Sequence, residues 1–108
     1  MKKTLLFVLL ISGFCFGQKY ELAEDFYDNG LPKSISTYKV SKDKIELVKK
    51  VRWHENGQKF EEGTYKDGKK DGLWTDWYEN EQKEEEGTYK DGEWISSKNW
   101  NLDGSVRE

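Results

Sequence analysis

The protein has 108 residues, of which 36% are charged and 34% are hydrophobic, and its formal net charge is −3. This length suits one compact domain or a short repeat array. The acidic balance argues against a nucleic-acid partner, because phosphate binding needs a basic surface. Disordered chains are poor in aromatic residues, whereas 15% of this chain is aromatic. We therefore expect a folded protein with a thin hydrophobic core.

Residues 1–17 have the layout of a secretory signal peptide. Two lysines precede an apolar run at residues 5–11, and Cys15 and Gly17 occupy the −3 and −1 positions of a cleavage site. The run is too short for a membrane-spanning helix, which needs about 20 residues. We expect a secreted or periplasmic protein cleaved after Gly17. A lipoprotein anchored through Cys15 is the less favoured alternative, because bulky Phe14 precedes the cysteine.

Residues 18–50 are interpreted as N-terminal strands that form a degenerate repeat or a cap. Asn29-Gly30 is typical of a hairpin turn, since it readily supplies the positive φ angles that such turns need. Aromatic and β-branched residues alternate on both sides of it, which favours strands over helices. The predicted strands are residues 20–27 and 33–40, followed by one that runs towards Trp53.

Residues 51–108 are interpreted as a repeat array. The seven residues EGTYKDG at 62–68 recur at 86–92, which is 24 positions later. The motif WHENG at residues 53–57 recurs at the same offset as WYENE, and a decayed copy lies near the C-terminus. Self-similarity at a period of 20 to 50 residues is the signature of a repeat architecture.

Each repeat unit contains two turn signals, one of the Asn-Gly type and one of the Asp-Gly type, such as Asp67-Gly68 and Asp91-Gly92. Two strands therefore fit into each unit. The predicted fold is all-β: an antiparallel meander of consecutive β-hairpins that forms an elongated repeat sheet. Its predicted strands are residues 51–55, 58–66, 73–79, 82–90 and 94–101.

Five glycines are expected to be structural. Gly57, Gly68 and Gly92 lie in predicted turns, whereas Gly63 and Gly87 lie inside predicted strands. A glycine inside a strand weakens it unless a large group lies over the glycine. We therefore expect the tryptophan of a neighbouring strand above Gly63 and above Gly87.

The run EGTYKDGKKDGLW at residues 62–74, followed by WYEN at 77–80, resembles a MORN-type repeat. It is most similar to the bacterial antitoxin-like (YwqK-type) variant, and the resemblance covers about residues 51–104. The resemblance implies consecutive β-hairpins in an elongated sheet, a scaffold role in contact with proteins or lipids, and no catalytic residues. The sequence departs from the pattern at Glu81, which replaces the turn glycine.

Catalytic and metal-binding patterns are weak. His54 is the only histidine, so one chain cannot form a multi-histidine metal site. Residues 67–72 contain two Asp-Gly pairs without the spacing of a calcium loop, and we interpret both pairs as hairpin turns. The acidic run at 84–86 is interpreted as a charged strand edge that resists aggregation, rather than as a weak cation site. We expect no enzyme activity and no cofactor.

Aromatic side chains form the candidate binding face, although core packing is the simpler interpretation of the same rings. Our preferred hypothesis is an exported protein-interaction or scaffold module whose partner is another protein. The alternative is a module that binds carbohydrate or envelope lipid through exposed tryptophan and tyrosine side chains, and a small hydrolase comes third. The candidate residues are Trp53, Tyr65, Trp74, Trp77, Tyr78, Tyr89, Trp94 and Trp100.

Overall fold

The computed structural model describes residues 7–10 and 18–107. These residues form one nine-stranded sheet in which spatial order follows sequence order, and each neighbouring pair is antiparallel. The predicted all-β antiparallel meander is therefore confirmed. The strands are β1 (Phe7–Leu10), β2 (Gln18–Phe26), β3 (Pro32–Ser41), β4 (Lys44–Trp53), β5 (Lys59–Lys66), β6 (Lys69–Trp77), β7 (Lys83–Lys90), β8 (Glu93–Trp100) and β9 (Val106–Arg107).

The predicted signal peptide lies mostly outside the described residues, and so do Cys15 and the cleavage position at Gly17. Within that segment the structure describes Phe7–Leu10, which forms β1 and pairs antiparallel with residues 20–23 of β2.

Two kinds of turn alternate along the sheet. At one end of the strands, the two-residue turns at 67–68 and 91–92 carry aspartate and glycine at positive φ, as the sequence predicts. At the other end of the strands, the predicted Asn-Gly turns are longer than a two-residue hairpin turn and contain five residues. In each of these, the first residue donates its N–H to the carbonyl of the fifth, and the fourth donates to the first. The five-residue turns are residues 27–31, 54–58, 78–82 and 101–105.

The second Asp-Gly pair of the repeat, Asp71-Gly72, is not a turn. Asp67-Gly68 already closes the hairpin, so Asp71-Gly72 lies inside β6, where three residues oppose one residue of β5. The Thr64 hydroxyl donates to the carbonyl of Asp71 (2.6 Å), and Gly72 takes a φ of 91°. The expectation of a second hairpin turn is wrong because this pair forms a bulge.

The core is as thin as the composition predicts. Among the described side chains, Val51 and Trp74 are the buried hydrophobic ones, at 8% and 5% exposure. Trp74 lies over Gly63, donates its indole N–H to the carbonyl of Thr64 (3.0 Å), and meets the ring of Tyr65 edge-on at 5.2 Å. Trp74 is therefore a core residue, and its place in the candidate binding face is corrected.

The expected tryptophan contact at Gly87 is looser than at Gly63: a β-carbon there would lie 3.9 Å from Cδ1 of Trp94 on β8, while Trp74, the residue opposite Gly87 on β6, lies over Gly63 instead. A β-carbon at Gly87 would meet Tyr89 of its own strand at 3.4 Å, which is ordinary contact. On β8 the residue opposite Gly87 is Ser97. Ser97 follows Trp74 by the same 23 positions that separate Trp100 from Trp77. The last unit therefore carries a serine where the unit before it carries the core tryptophan.

Candidate functional site

The four five-residue turns lie side by side at the same end of the strands, and we call them the turn row. The third residue of each of the first three turns is an asparagine with two roles. Its Oδ1 accepts an N–H two residues on, from Leu31, Gln58 and Gln82. Its Nδ2 donates to a carbonyl of the next turn at 3.0 Å. These donor–acceptor pairs are Asn29 to Glu55, Asn56 to Glu79 and Asn80 to Leu102.

A second set of hydrogen bonds joins the same turns, and its donors and acceptors each lie two residues before those of the first set. Each bond runs from the first residue of one turn to the carbonyl of the tryptophan that precedes the next turn. The bonds are Tyr27 Oη to Trp53 O (2.7 Å), His54 Nε2 to Trp77 O (2.9 Å) and Tyr78 Oη to Trp100 O (2.8 Å). Since each unit contributes two strands of about 4.8 Å, successive tryptophans stand about 10 Å apart, and the bonds hold that spacing.

Three open grooves lie along the turn row, and we call them the Trp grooves because Trp53, Trp77 and Trp100 form their walls. The second and third, between successive tryptophans, have volumes of about 380 and 340 Å³. The first, beside Trp53, is smaller at about 100 Å³. Their further lining residues are Leu31, Pro32 and Gly57 in the first; Gly57, Gln58, Lys59 and Glu81 in the second; and Glu81, Gln82, Lys83 and Gly104 in the third.

A lysine covers part of each larger groove. Lys59 places its Nζ 5.7 Å from the centre of the Trp77 ring and pairs with Glu62 at 2.9 Å. Partial burial would raise the pKa of Glu62, but hydrogen bonds and charges from Lys59 and Lys49 outweigh it, so the pKa is lowered. One unit later, Lys83 lies 5.9 Å from the Trp100 ring and pairs with Glu86. The ammonium groups are therefore held over the indoles while the apolar stems line the grooves.

Glu81 is the unusual residue of the turn row. It takes a φ of 72° at the turn position where Gly30, Gly57 and Gly104 take 88°, 88° and 91°. A non-glycine residue in this region is strained by about 1 kcal/mol or more. Its side chain is exposed, lines both larger grooves and makes no ion pair within residues 18–107. The carboxylate is therefore available to a bound partner.

Carboxylates also lie opposite one another across the middle of the sheet, away from the turn row. In the register, Glu61 faces Asp76 and Asp76 faces Glu85. Burial, followed by the charges of Glu61, Glu85 and Glu84, raises the pKa of Asp76 to about 6. Within the described residues, no group of three or more acidic, histidine or cysteine side chains is arranged to hold a metal ion.

The acidic run at 84–86 lies on β7, which is paired on both sides by β6 and β8. The interpretation of this run as a strand edge is therefore wrong. Glu86 pairs with Lys83, and Glu85 faces Asp76 and Asn99.

The structure separates the eight candidate aromatic residues into four groups. Trp53, Trp77 and Trp100 line the grooves, and Tyr78 supports them through its bond to Trp100. Tyr65 and Tyr89 pack against the buried Trp74, whereas Trp94 is 58% exposed and lines none of the three grooves.

Sequence reasoning missed the polar residues of the grooves, chiefly Lys59, Lys83 and Glu81. The recurrence of lysine at the same 24-residue offset was a signal for the first two. The departure from glycine at position 81 was the signal for the third.

No helix that could span a bilayer occurs in residues 7–10 or 18–107.

Comparison with known proteins identifies the repeats. A family model described as a MORN repeat variant matches residues 49–67 and 70–91. Each match contains one five-residue turn and one groove-lining tryptophan, Trp53 in the first and Trp77 in the second. No curated protein and no solved structure matches the chain.

Proposed function

This chain is a MORN-type repeat protein, and we propose that it is an exported, non-enzymatic module that binds another protein in its Trp grooves. The observation that carries the proposal is the groove set itself. Three grooves with tryptophan walls recur along the turn row. Aromatic side chains are enriched at protein interfaces, where they supply large contact areas.

The grooves are also preformed. Hydrogen bonds between side chains and backbone join each turn to the next at 2.7–3.0 Å, so the backbone that carries the tryptophan walls is held in place before a partner arrives. Preorganisation lowers the entropy cost of association. A thin sheet with almost no buried core gains this rigidity from its turns.

The non-enzymatic part of the proposal rests on the family resemblance and on His54. This residue is the only histidine of the chain, and its Nε2 is engaged with the carbonyl of Trp77 at 2.9 Å. The antitoxin-like (YwqK-type) assignment within the family stays a prediction.

Export rests on the layout of residues 1–17. We expect intact-mass spectrometry of the protein from its native source to show a chain that begins at Gln18. A chain that retains residues 1–17 would contradict export by cleavage, and an acylated Cys15 would show a lipoprotein instead.

Affinity capture from envelope fractions tests the binding function, with the full chain compared with two variants. Trp77→Ala removes a wall shared by two grooves, whereas Trp94→Ala removes a more exposed ring outside them. We expect the same protein to be captured by the wild type and Trp94→Ala and lost with Trp77→Ala, while circular dichroism shows all three folded. Equal capture by Trp77→Ala, or no capture under any condition, would contradict the proposal.

The second candidate function is binding of carbohydrate or envelope lipid, and the regular spacing of partly exposed tryptophans favours it, since indole rings stack on sugar rings. The lysines over Trp77 and Trp100 count against it, because they cover the ring faces that stacking would use. Titration of tryptophan fluorescence with glycan and lipid panels distinguishes the two functions. A saturable, Trp77-dependent change would support this candidate, and unchanged emission would remove it.

A further inference from the structure

The spacing of the Trp grooves matches one peptide conformation. Equivalent points of successive grooves are two strands apart, or about 9.6 Å. A polyproline II helix has three residues per turn and rises about 3.1 Å per residue, so one side of it repeats every 9.3 Å or so. An extended strand repeats every 6.6 Å or so and an α-helix every 5.4 Å or so. Of these three, the polyproline II helix fits the grooves.

The chemistry of the walls suits proline. Two indoles, Trp53 and Trp77, flank the second groove, and Trp77 and Trp100 flank the third. Proline-rich segments are recognised by grooves lined with aromatic side chains, because a polyproline II helix loses little entropy on binding. Lys59 and Lys83 lie over part of the Trp77 and Trp100 rings and line the two larger grooves, so an inserted proline contacts the apolar lysine stems as well as the indoles.

The charges of the turn row that have no ion-pair partner among the described residues indicate a basic partner protein, since Lys59 and Lys83, which also line the larger grooves, are already paired with Glu62 and Glu86. Glu81 lines both larger grooves without an ion pair in the described part of the chain. Asp28, Glu55 and Glu79, at the second position of three successive turns, are exposed beside it. Complementary charge fixes the register of a bound segment and speeds its association.

We propose that the Trp grooves bind a proline-rich, basic segment of a partner protein in the polyproline II conformation. Prolines at every third position enter successive grooves, and an arginine or lysine between them pairs with Glu81. This inference rests on the proposed function and names the partner segment. It also explains why position 81 carries a strained glutamate where the other three turns carry glycine.

Calorimetric titration of the full chain with three synthetic peptides tests the inference. The first peptide has prolines at positions i, i+3 and i+6 and one arginine. The second has the same composition with prolines at i, i+4 and i+8, and the third replaces the arginine with glutamate. We expect the first peptide to bind with saturation, and the second and third to bind about tenfold more weakly or worse. A tenfold change in Kd corresponds to about 1.4 kcal/mol of binding free energy.

Variants locate the binding. Trp77→Ala should lower the affinity for the first peptide by about tenfold or more, as truncation of a central aromatic residue does at other interfaces. Glu81→Gln should remove the difference between the first and third peptides, and Trp94→Ala should change nothing. Equal affinity for the first two peptides, or unchanged binding by Trp77→Ala, would overturn the inference.

The outcomes separate this inference from the proposed function. Capture of a protein through Trp77 with no preference among the three peptides overturns the polyproline II segment and leaves the protein-binding function standing. Trp77-dependent binding of a glycan, with no peptide binding and no protein capture, overturns both.

Discussion

The indole of Trp74 occupies the space that a side chain at Gly63 would need. The two residues face each other across β5 and β6, and a β-carbon built on Gly63 would overlap the ring atoms. Trp74 is the most buried hydrophobic side chain described, so its contact with Gly63 is a main part of the sheet's small core. A sheet with so little buried apolar area depends strongly on each such contact.

Gly63→Ala should destabilise the protein by about 1–3 kcal/mol, because the added methyl group displaces the Trp74 ring. Gly87→Ala is the matched control: it has the same sequence context, but its β-carbon meets Tyr89 at 3.4 Å, so we expect little change or a slight gain. Urea unfolding measures both. Equal loss of stability in the two variants would show that the tryptophan is not the cause.

Glu81→Gly should stabilise the protein by about 0.5–1 kcal/mol, since glycine takes a φ of 72° without the steric cost that glutamate bears there. The reciprocal change, Gly57→Glu, places glutamate at a φ of 88° and should destabilise by a similar amount. Thermal unfolding compares the two. A lower melting temperature for Glu81→Gly would mean that the carboxylate stabilises the turn by more than its backbone strain costs.

Asn56→Asp keeps the oxygen that accepts the N–H of Gln58 and removes the amide that donates to Glu79. We expect a loss of about 1 kcal/mol, the usual contribution of one hydrogen bond. Asp103→Asn is the control, because Asp103 only accepts hydrogen bonds, from Ser105, and asparagine keeps an accepting oxygen. The Ser105 bonds lower the pKa of Asp103, so loss of the charge should lower the melting temperature of this variant slightly, and by less than Asn56→Asp does. A similar effect at both positions would show that the bond between turns contributes nothing.

Asp76→Asn tests the row of opposed carboxylates through its pH dependence. The pKa of Asp76 is about 6 in the folded protein, against an ordinary value of 3.8. The folded state thus binds the proton more tightly, so the free energy of unfolding falls as pH rises from about 4 to about 6 and stays reduced above that range.

We therefore expect Asp76→Asn to melt at a higher temperature than the wild type at pH 7.5 and at nearly the same temperature at pH 3.5. Because the side chain is partly exposed, solvent screening limits the gain to about 1 kcal/mol. The contribution of Glu62, whose pKa is lowered, is lost on acidification in both proteins and cancels in the difference. A difference in melting temperature that does not change with pH would contradict the assigned pKa.

Register was the main property that sequence reasoning left open. The five-residue turns and the bulge at Asp71-Gly72 shift the pairing between strands, and a shift of one residue moves a side chain to the other face of the sheet. The sequence therefore could not show that Trp74 lies over Gly63 while Ser97 lies opposite Gly87. It also could not show which tryptophans line grooves, because that depends on hydrogen bonds between turns whose partners are 22 to 26 residues apart.

The amino-acid sequence by itself determined the all-β meander and the repeat period, because these follow from local alternation, turn residues and self-similarity, and its motifs showed the resemblance to MORN-type repeats. The tertiary structure decided the rest, since burial and grooves arise only when strands are placed in register and turns are stacked. It placed Trp74 in the core, Trp53, Trp77 and Trp100 along the turn row, and Glu81 between them.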